Sequence, residues 1–229
     1  MATSTVENYI KRIYMEQPQA GRGLVTLGHL AKIMNVVPGT ATTMVKALSE
    51  SGLARYRPRE GVRLTHAGEK LALHVLRRHR LIELFLVRVL GVDWSEVHAE
   101  AEELEHAISD KLLARIDEVL GRPAFDPHGD PIPSAAGKLS RSRVQPLIAC
   151  GTGTRMRVAR IADQDPRFLR YANSLGLVPG AKLHLKDRDA LGDSILVQVS
   201  GRKPLNMGSS AGAKIMVEPL PKPRGNRTA

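Results

Sequence analysis

Residues 26–65 read TLGHLAKIMNVVPGTATTMVKALSESGLARYRPREGVRLT, and this stretch decides the fold of the N-terminal part. Thr26 is a plausible side-chain cap ahead of Leu27, Leu30, Ala31 and Met34, which recur at helical spacing. Asn35 to Pro38 break that helix, and Pro38 suits the first turn of the next. Ala41, Val45 and Leu48 share one side of this second helix until Ser51-Gly52 stops it. Two short helices with a tight turn between them make a helix-turn-helix. The runs Leu53–Arg57 and Val62–Thr65 then flank Pro58-Arg59-Glu60-Gly61, which predicts a short hairpin. A hairpin directly after a helix-turn-helix is the plan of a winged helix. Ahead of it, Val6, Ile10, Ile13 and Tyr14 predict a helix from Thr5 to about Gln17, ended by Pro18 and Gly21.

In such a unit the N-terminal part of the second helix enters the major groove. Val37, Pro38, Gly39, Thr40, Thr42 and Thr43 are therefore the expected DNA-facing residues. Threonine hydroxyls can bond base edges or phosphates, and threonine methyls can touch thymine methyls. No Arg, Gln or Asn stands there for a bidentate base contact, so shape is expected to carry much of the specificity. Lys46, Arg57, Arg59 and Arg63 are candidates for phosphate contacts, which position without specifying sequence.

The charge of the whole chain, +11 over 229 residues, is unevenly spread. Residues 1–75 hold 10 Lys/Arg against 5 Asp/Glu, residues 76–135 hold 7 against 12, and residues 136–229 hold 17 against 6. Basic ends point to polyanions and an acidic middle to cations. With 42% hydrophobic residues the chain can bury a core. A single cysteine, Cys150, excludes an intramolecular disulfide and a stapled secreted scaffold. The start carries no signal-peptide pattern, and the most apolar run, Leu81 to Val92, is broken by Glu83 and Arg88. That run falls far short of the roughly 20 residues that span a bilayer, so a cytoplasmic location with no membrane partner is expected.

Further helical patterns run from Ala67 to Leu90, from Trp94 to His106 with Ser95 as a candidate cap, and from Ser109 to Leu120. Residues 121–150 are rich in proline and glycine and read as a linker with Cys150 at its end. Beyond it, Met156–Ile161 and Ile195–Val199 read as strands around a short helix, Pro166 to Leu175, in a small β-rich domain with the character of a barrel. The expected fold class is mainly α with a β-rich C-terminal domain. The divisions are 1–75 for the winged helix, 76–140 for a helical domain, 150–220 for the β domain and 221–229 for a disordered basic tail.

The acidic middle holds four of the eight histidines. His79 and Glu83 are four apart on one helix. His98, Glu102, Glu105 and His106 fall within an arc of roughly 100° on the next. Imidazoles and carboxylates crowded on one face either repel or share a cation. Oxygen and imidazole donors without a thiolate suit Mn2+ or Fe2+, although other divalent transition metals can substitute. Leu90, Trp94, Leu104, Ile108 and Leu112 are candidates for a dimer interface or equally for the domain's own core, and the two-fold symmetry of a reader of two half-sites favours an interface for some of them. Three rivals stand beside a metal-dependent repressor. They are a metal-independent winged-helix repressor sensing a small organic ligand, a metallohydrolase, and a metal-storage protein. The last two leave the basic reading head without a role, so no enzymatic activity and no organic cofactor are expected.

The sequence resembles the diphtheria toxin repressor family of metal-dependent transcription repressors, and its manganese-responsive branch in particular. The carrying residues are Glu7–Ile10, Val36–Val45, Arg78–Glu83, Glu96–His106 and the loop Asp126–Pro133. The resemblance implies a winged helix, a helical metal-binding and dimerisation domain and an SH3-like C-terminal domain. It also implies a homodimer that grips an operator and represses metal-uptake genes when metal is bound. Carried over by position, Glu102, Glu105 and His106 match the regulatory metal site together with Asn8. His79, Glu83 and His98 match an ancillary site, to which the C-terminal domain adds a ligand near Asp165. Glu102 stands where iron-type members have Cys, which favours manganese. Asn8 replaces the usual Asp of manganese members or Met of iron members. Lys11 stands where some two-metal members place a carboxylate, and Phe168 where a Gln ligand is expected.

Overall fold

Thr3 accepts a hydrogen bond from Val6 N and opens helix α1, Ser4–Glu16, whose Tyr9, Ile10 and Ile13 are buried. The structure, a computed structural model, describes residues 3–17, 23–140 and 143–220. Pro18 and Gly21, read above as helix stops, and the tail 221–229 lie outside the described residues. Thr26 caps α2, Leu27–Ile33, through His29 N, as its position predicts. Asn35 takes a left-handed φ of 51° in the turn to α3, Pro38–Glu50.

Strands β1, Ala54–Arg57, and β2, Gly61–Leu64, form the wing, and Val25 bridges Val62 on the outer side of β2. Gly61 is required here: its φ is 141°, and a Cβ would stand 2.4 Å from Val25 O. The same core takes Ala72, Val75 and Leu76 from the first half of α4, His66–Arg88. The second half of α4 carries Leu81, Ile82, Leu84 and Leu86 into two smaller clusters with α5, Val97–Leu104, and α6, Asp110–Val119. One helix is thus a spine shared by the reading head and the acidic middle.

Three expectations need correction. Ser95 does not cap α5; its hydroxyl and backbone N both bond Asp93, and Glu96 precedes the helix without a side-chain cap. Trp94 faces inward, stacked on His128 at 5.6 Å between ring centres and packed against the C-terminal core, and Ile108 packs between the two smaller clusters. Leu90, Leu104 and Leu112 are exposed, as are Val89 and Val119. Finally, part of the stretch read as linker is packed tightly: Asp126, His128 and Asp130 are buried, and Cys150 lies in the C-terminal core.

The C-terminal part is a six-stranded sheet in the order β3-β8-β4-β5-β6-β7, with each neighbouring pair antiparallel. Its strands are β3 Gln145–Pro146, β4 Arg155–Ile161, β5 Lys182–Asp189, β6 Ser194–Val199, β7 Leu205–Gly208 and β8 Ile215–Pro219. Ile195, Val197 and Val199 alternate inward along β6. Helix α7, Pro166–Ser174, and the short α8, Ser209–Ala213, complete this SH3-like unit. Among the described residues no helix is long and apolar enough to cross a membrane.

Candidate metal centre and nucleic-acid interface

Glu83 sits at the middle of the charged cluster, one turn of α4 beyond His79. Its Oε1 is 3.0 Å from His79 Nε2 and 3.1 Å from His98 Nδ1. Those two ring nitrogens are themselves 3.1 Å apart, so His79, Glu83 and His98 converge. The other nitrogen of His79 lies 2.7 Å from Glu105 Oε2, which ties this group to the next.

Glu105 is fully buried, and its Oε1 accepts a 2.5 Å bond from Lys11 Nζ on α1. The same ammonium reaches Glu102 Oε1 at 2.9 Å. His106 lies 3.0 Å from Asn8 Oδ1, 2.8 Å from Glu7 Oε2 and 3.5 Å from Glu105 Oε1. His106 therefore links Asn8 to Glu105, and Lys11 links Glu105 to Glu102; the group whose ligand atoms converge here is His79, Glu102 and Glu105, with His106 and Asn8 beside it. Asp165 does not join them. Its carboxylate caps α7 and accepts from the backbone N and guanidinium of Arg167. It lines a cavity of about 280 Å³ that also borders His79, Glu83, His98 and Glu102.

Electrostatics follow from this crowding. Burial opposes a charged His79, but hydrogen bonds to Glu105 and Glu83 outweigh it and push the imidazole up to about 9. Burial equally opposes a charged Glu83, yet His79 and His98 hold its carboxyl well below the usual range. Asp126 goes the other way: burial, then repulsion from Asp130 and Glu83, raise its carboxyl well above the ordinary value.

Sequence reasoning missed Asp126 and His128. Glu83 Oε2, Asp126 Oδ2 and His128 Nδ1 are all buried without a hydrogen-bond partner. His128 Nδ1 is 3.9 Å from Glu83 Oε2, and Arg80 Nε is 3.5 Å from Asp126 Oδ2. The three residues form a further ligand-capable group. Buried polar atoms normally find partners, and a divalent cation fits a set of facing acceptors that lack donors. The donor set, carboxylate oxygen and imidazole, suits Mn2+ or Fe2+. The available signal was an aspartate and a histidine two apart in an acidic segment, masked by the prolines around them.

On the reading head, Val37, Pro38, Gly39, Thr40, Thr43 and Lys46 are exposed, and Thr42 is half-buried. Thr42 and Thr43 donate their hydroxyls back to Pro38 O and Gly39 O, at 2.8 and 3.1 Å, and keep acceptor capacity outward. A Cβ on Gly39 would meet nothing within 4 Å, so this face is flat and open. On the wing, Arg59 is exposed at a φ of 69°. Arg57 pairs with Glu60 at 3.3 Å, and Arg63 is half-buried and bonds Gly23 O.

Three family profiles match successive parts of the chain. "Iron dependent repressor, N-terminal DNA binding domain" matches residues 1–62, "Iron dependent repressor, metal binding and dimerisation domain" residues 65–134, and "FeoA domain" residues 145–219. The chain is 27% identical over 227 residues to the iron-dependent repressor IdeR of Mycobacterium leprae, across 93% of this chain and 96% of that protein. It is 33% identical over 120 residues to the transcriptional regulator MntR of Lysinibacillus sphaericus, across 52% of this chain and 84% of that protein. A solved manganese-dependent transcriptional repressor in complex with manganese is 41% identical, with a TM-score of 0.87 over 94% of this chain and 100% of that one.

Proposed function

The chain belongs to the diphtheria toxin repressor family of metal-dependent transcription repressors, and from that premise we propose how its own residues do the work. The protein is a metal-dependent regulator that binds operator DNA as a homodimer, with Mn2+ or Fe2+ as its ion. We assign it the repression of metal-uptake genes, a cytoplasmic location and no catalytic role.

The observation that carries the residue assignment is Glu83: one oxygen between two imidazoles, the other buried opposite Asp126 and His128 with no donor. His79, Glu83 and His98, with Asp126 and His128, would hold one ion; Asn8, Glu102, Glu105 and His106 would hold another. When bound, the ion supplies positive charge that draws carboxylates from separate elements together. The chain supplies the coupling. Asn8 lies on α1, in the core of the reading head, while Glu102, Glu105 and His106 lie in the middle domain. A fixed distance between them fixes how the head sits on the dimer. Ligand binding that favours one such arrangement shifts its population. Exposed Leu90, Leu104 and Leu112 are the positions assigned to the dimer interface.

The test is a footprint on genomic fragments with Mn2+, with Fe2+ and with chelator. Protection is expected only with metal. Equal protection in chelator would overturn the proposal and favour a repressor sensing an organic ligand. Within the protein–DNA contact, Arg59→Ala is expected to weaken binding uniformly across sequences and to reduce the salt dependence by about one counterion. Operator titrations over a KCl series check this. An unchanged slope would place Arg59 off the phosphates.

A further inference from the structure

The lysine in the centre of the second ligand group has no obvious place in a cation site. Lys11 is 2% exposed, and its Nζ lies 2.5 Å from Glu105 Oε1 and 2.9 Å from Glu102 Oε1. Both acceptor atoms belong to residues assigned above as metal ligands. Glu105 has little freedom to turn away, because it is fully buried and its Oε2 is engaged by His79 at 2.7 Å. Asn8 and Lys11, three apart on α1, present an amide oxygen and an ammonium to the same carboxylate–imidazole set. A buried ammonium paired to two carboxylates is costly to leave unpaired, so it is not a bystander.

From this geometry we propose that Lys11 is an intramolecular competitor for the divalent cation: its ammonium holds the Glu102–Glu105 pair, and metal uptake there requires it to withdraw. This rests on the reading of the cluster as a metal centre. The structure provides the space. The cavity of about 280 Å³ beside the cluster is bordered by Lys11, Arg12 and Met15 on α1 and by His98, Glu102 and Asp165 on the other side. The flexible four-carbon stem of a lysine can carry its charge into such a space. A tethered ammonium therefore sets a threshold. Only the fraction of molecules with Lys11 withdrawn offers both carboxylates, and apparent affinity falls by that fraction. A site plugged in 90–99% of molecules binds its ion about 10- to 100-fold more weakly than an unplugged one.

Two measurements test the proposal. Equilibrium dialysis with Mn2+ compares the full chain with Lys11→Met, which keeps the length of the stem and removes the charge. The variant is expected to bind Mn2+ about 10- to 100-fold more tightly. Equal or weaker binding by a folded variant overturns the proposal. Should the variant fail to fold, the wild-type protein decides. Acetylation of Lys11, read by mass spectrometry across a Mn2+ titration, is expected to rise as the amine leaves its buried seat, and constant protection overturns the proposal. Absence of Mn2+ uptake by the wild-type chain gives a different signature, and it overturns the metal centre itself together with the competitor.

Discussion

Glu83→Gln is expected to remove one of the two ion sites and with it a large part of the metal response. Glu83 is 1% exposed and belongs to two of the three ligand-capable groups among the described residues, His79–Glu83–His98 and Glu83–Asp126–His128, as His79 does through His79–Glu102–Glu105. The amide keeps the volume but carries no charge, and its NH2 group has to face an imidazole, Asp126 or the orphaned Nδ1 of His128. Saturation to 100 times Kd stabilises the wild-type fold by about 2.7 kcal/mol per site. The melting temperature of the wild-type protein should therefore climb with Mn2+, while that of the variant climbs less, by what the Asn8–Glu102–Glu105–His106 site alone supplies. Operator protection should require a higher Mn2+ concentration in parallel. Removing one partner of a buried ion pair costs about 3–5 kcal/mol, so the metal-free variant should also melt lower. A Mn2+-dependent rise equal to the wild-type one would refute the assignment.

Gly129→Ala is the second large effect, and it acts through the joint between the middle and C-terminal parts. Gly129 has a φ of 88°, and a Cβ there would stand 2.0 Å from Ala159 O and 2.9 Å from Arg160 Cα. Both atoms are backbone of β4 and cannot step aside alone. The joint around it is well bonded: Ile161 N donates to His128 O at 2.9 Å, Arg160 to Asp130 at 2.9 Å, and Gln164 to Asp130 at 3.3 Å. A left-handed alanine costs about 1–3 kcal/mol before any clash. The clash is relieved only if the loop lifts off β4. Calorimetry is expected to show the C-terminal part melting in a separate, earlier transition. Mn2+ affinity should fall as well, because Asp126 and His128 ride on the same loop. One wild-type-like transition with unchanged affinity would contradict this.

Much of the molecule was legible from local pattern. Thr26 and Pro38 stand at the helix starts their chemistry predicts, Ser109 stands where the helical pattern begins, and the hairpin turns at Pro58–Gly61. Spacing put His79 and Glu83 on one face of α4, and His98 and Glu102 on one face of the next helix. Ser95 misled because a serine ahead of a helix can spend its hydroxyl on a nearer acceptor, here Asp93. Trp94 misled because an apolar residue between helices carries no label saying which surface will cover it.

By itself, then, the sequence determined what depends on neighbours within one or two turns: helix, strand, cap, and which side chains share a face. Tertiary structure alone decided what crosses long separations. It brought Asp126 and His128 to Glu83 from a loop that reads as punctuation, and Lys11 to Glu102 and Glu105 from 91 and 94 residues away. The physical reason is that spacing along a chain encodes direction around a helix axis. Which two faces then meet depends on the packing of whole elements around shared cores, here α1 and α5 against the one long helix between them.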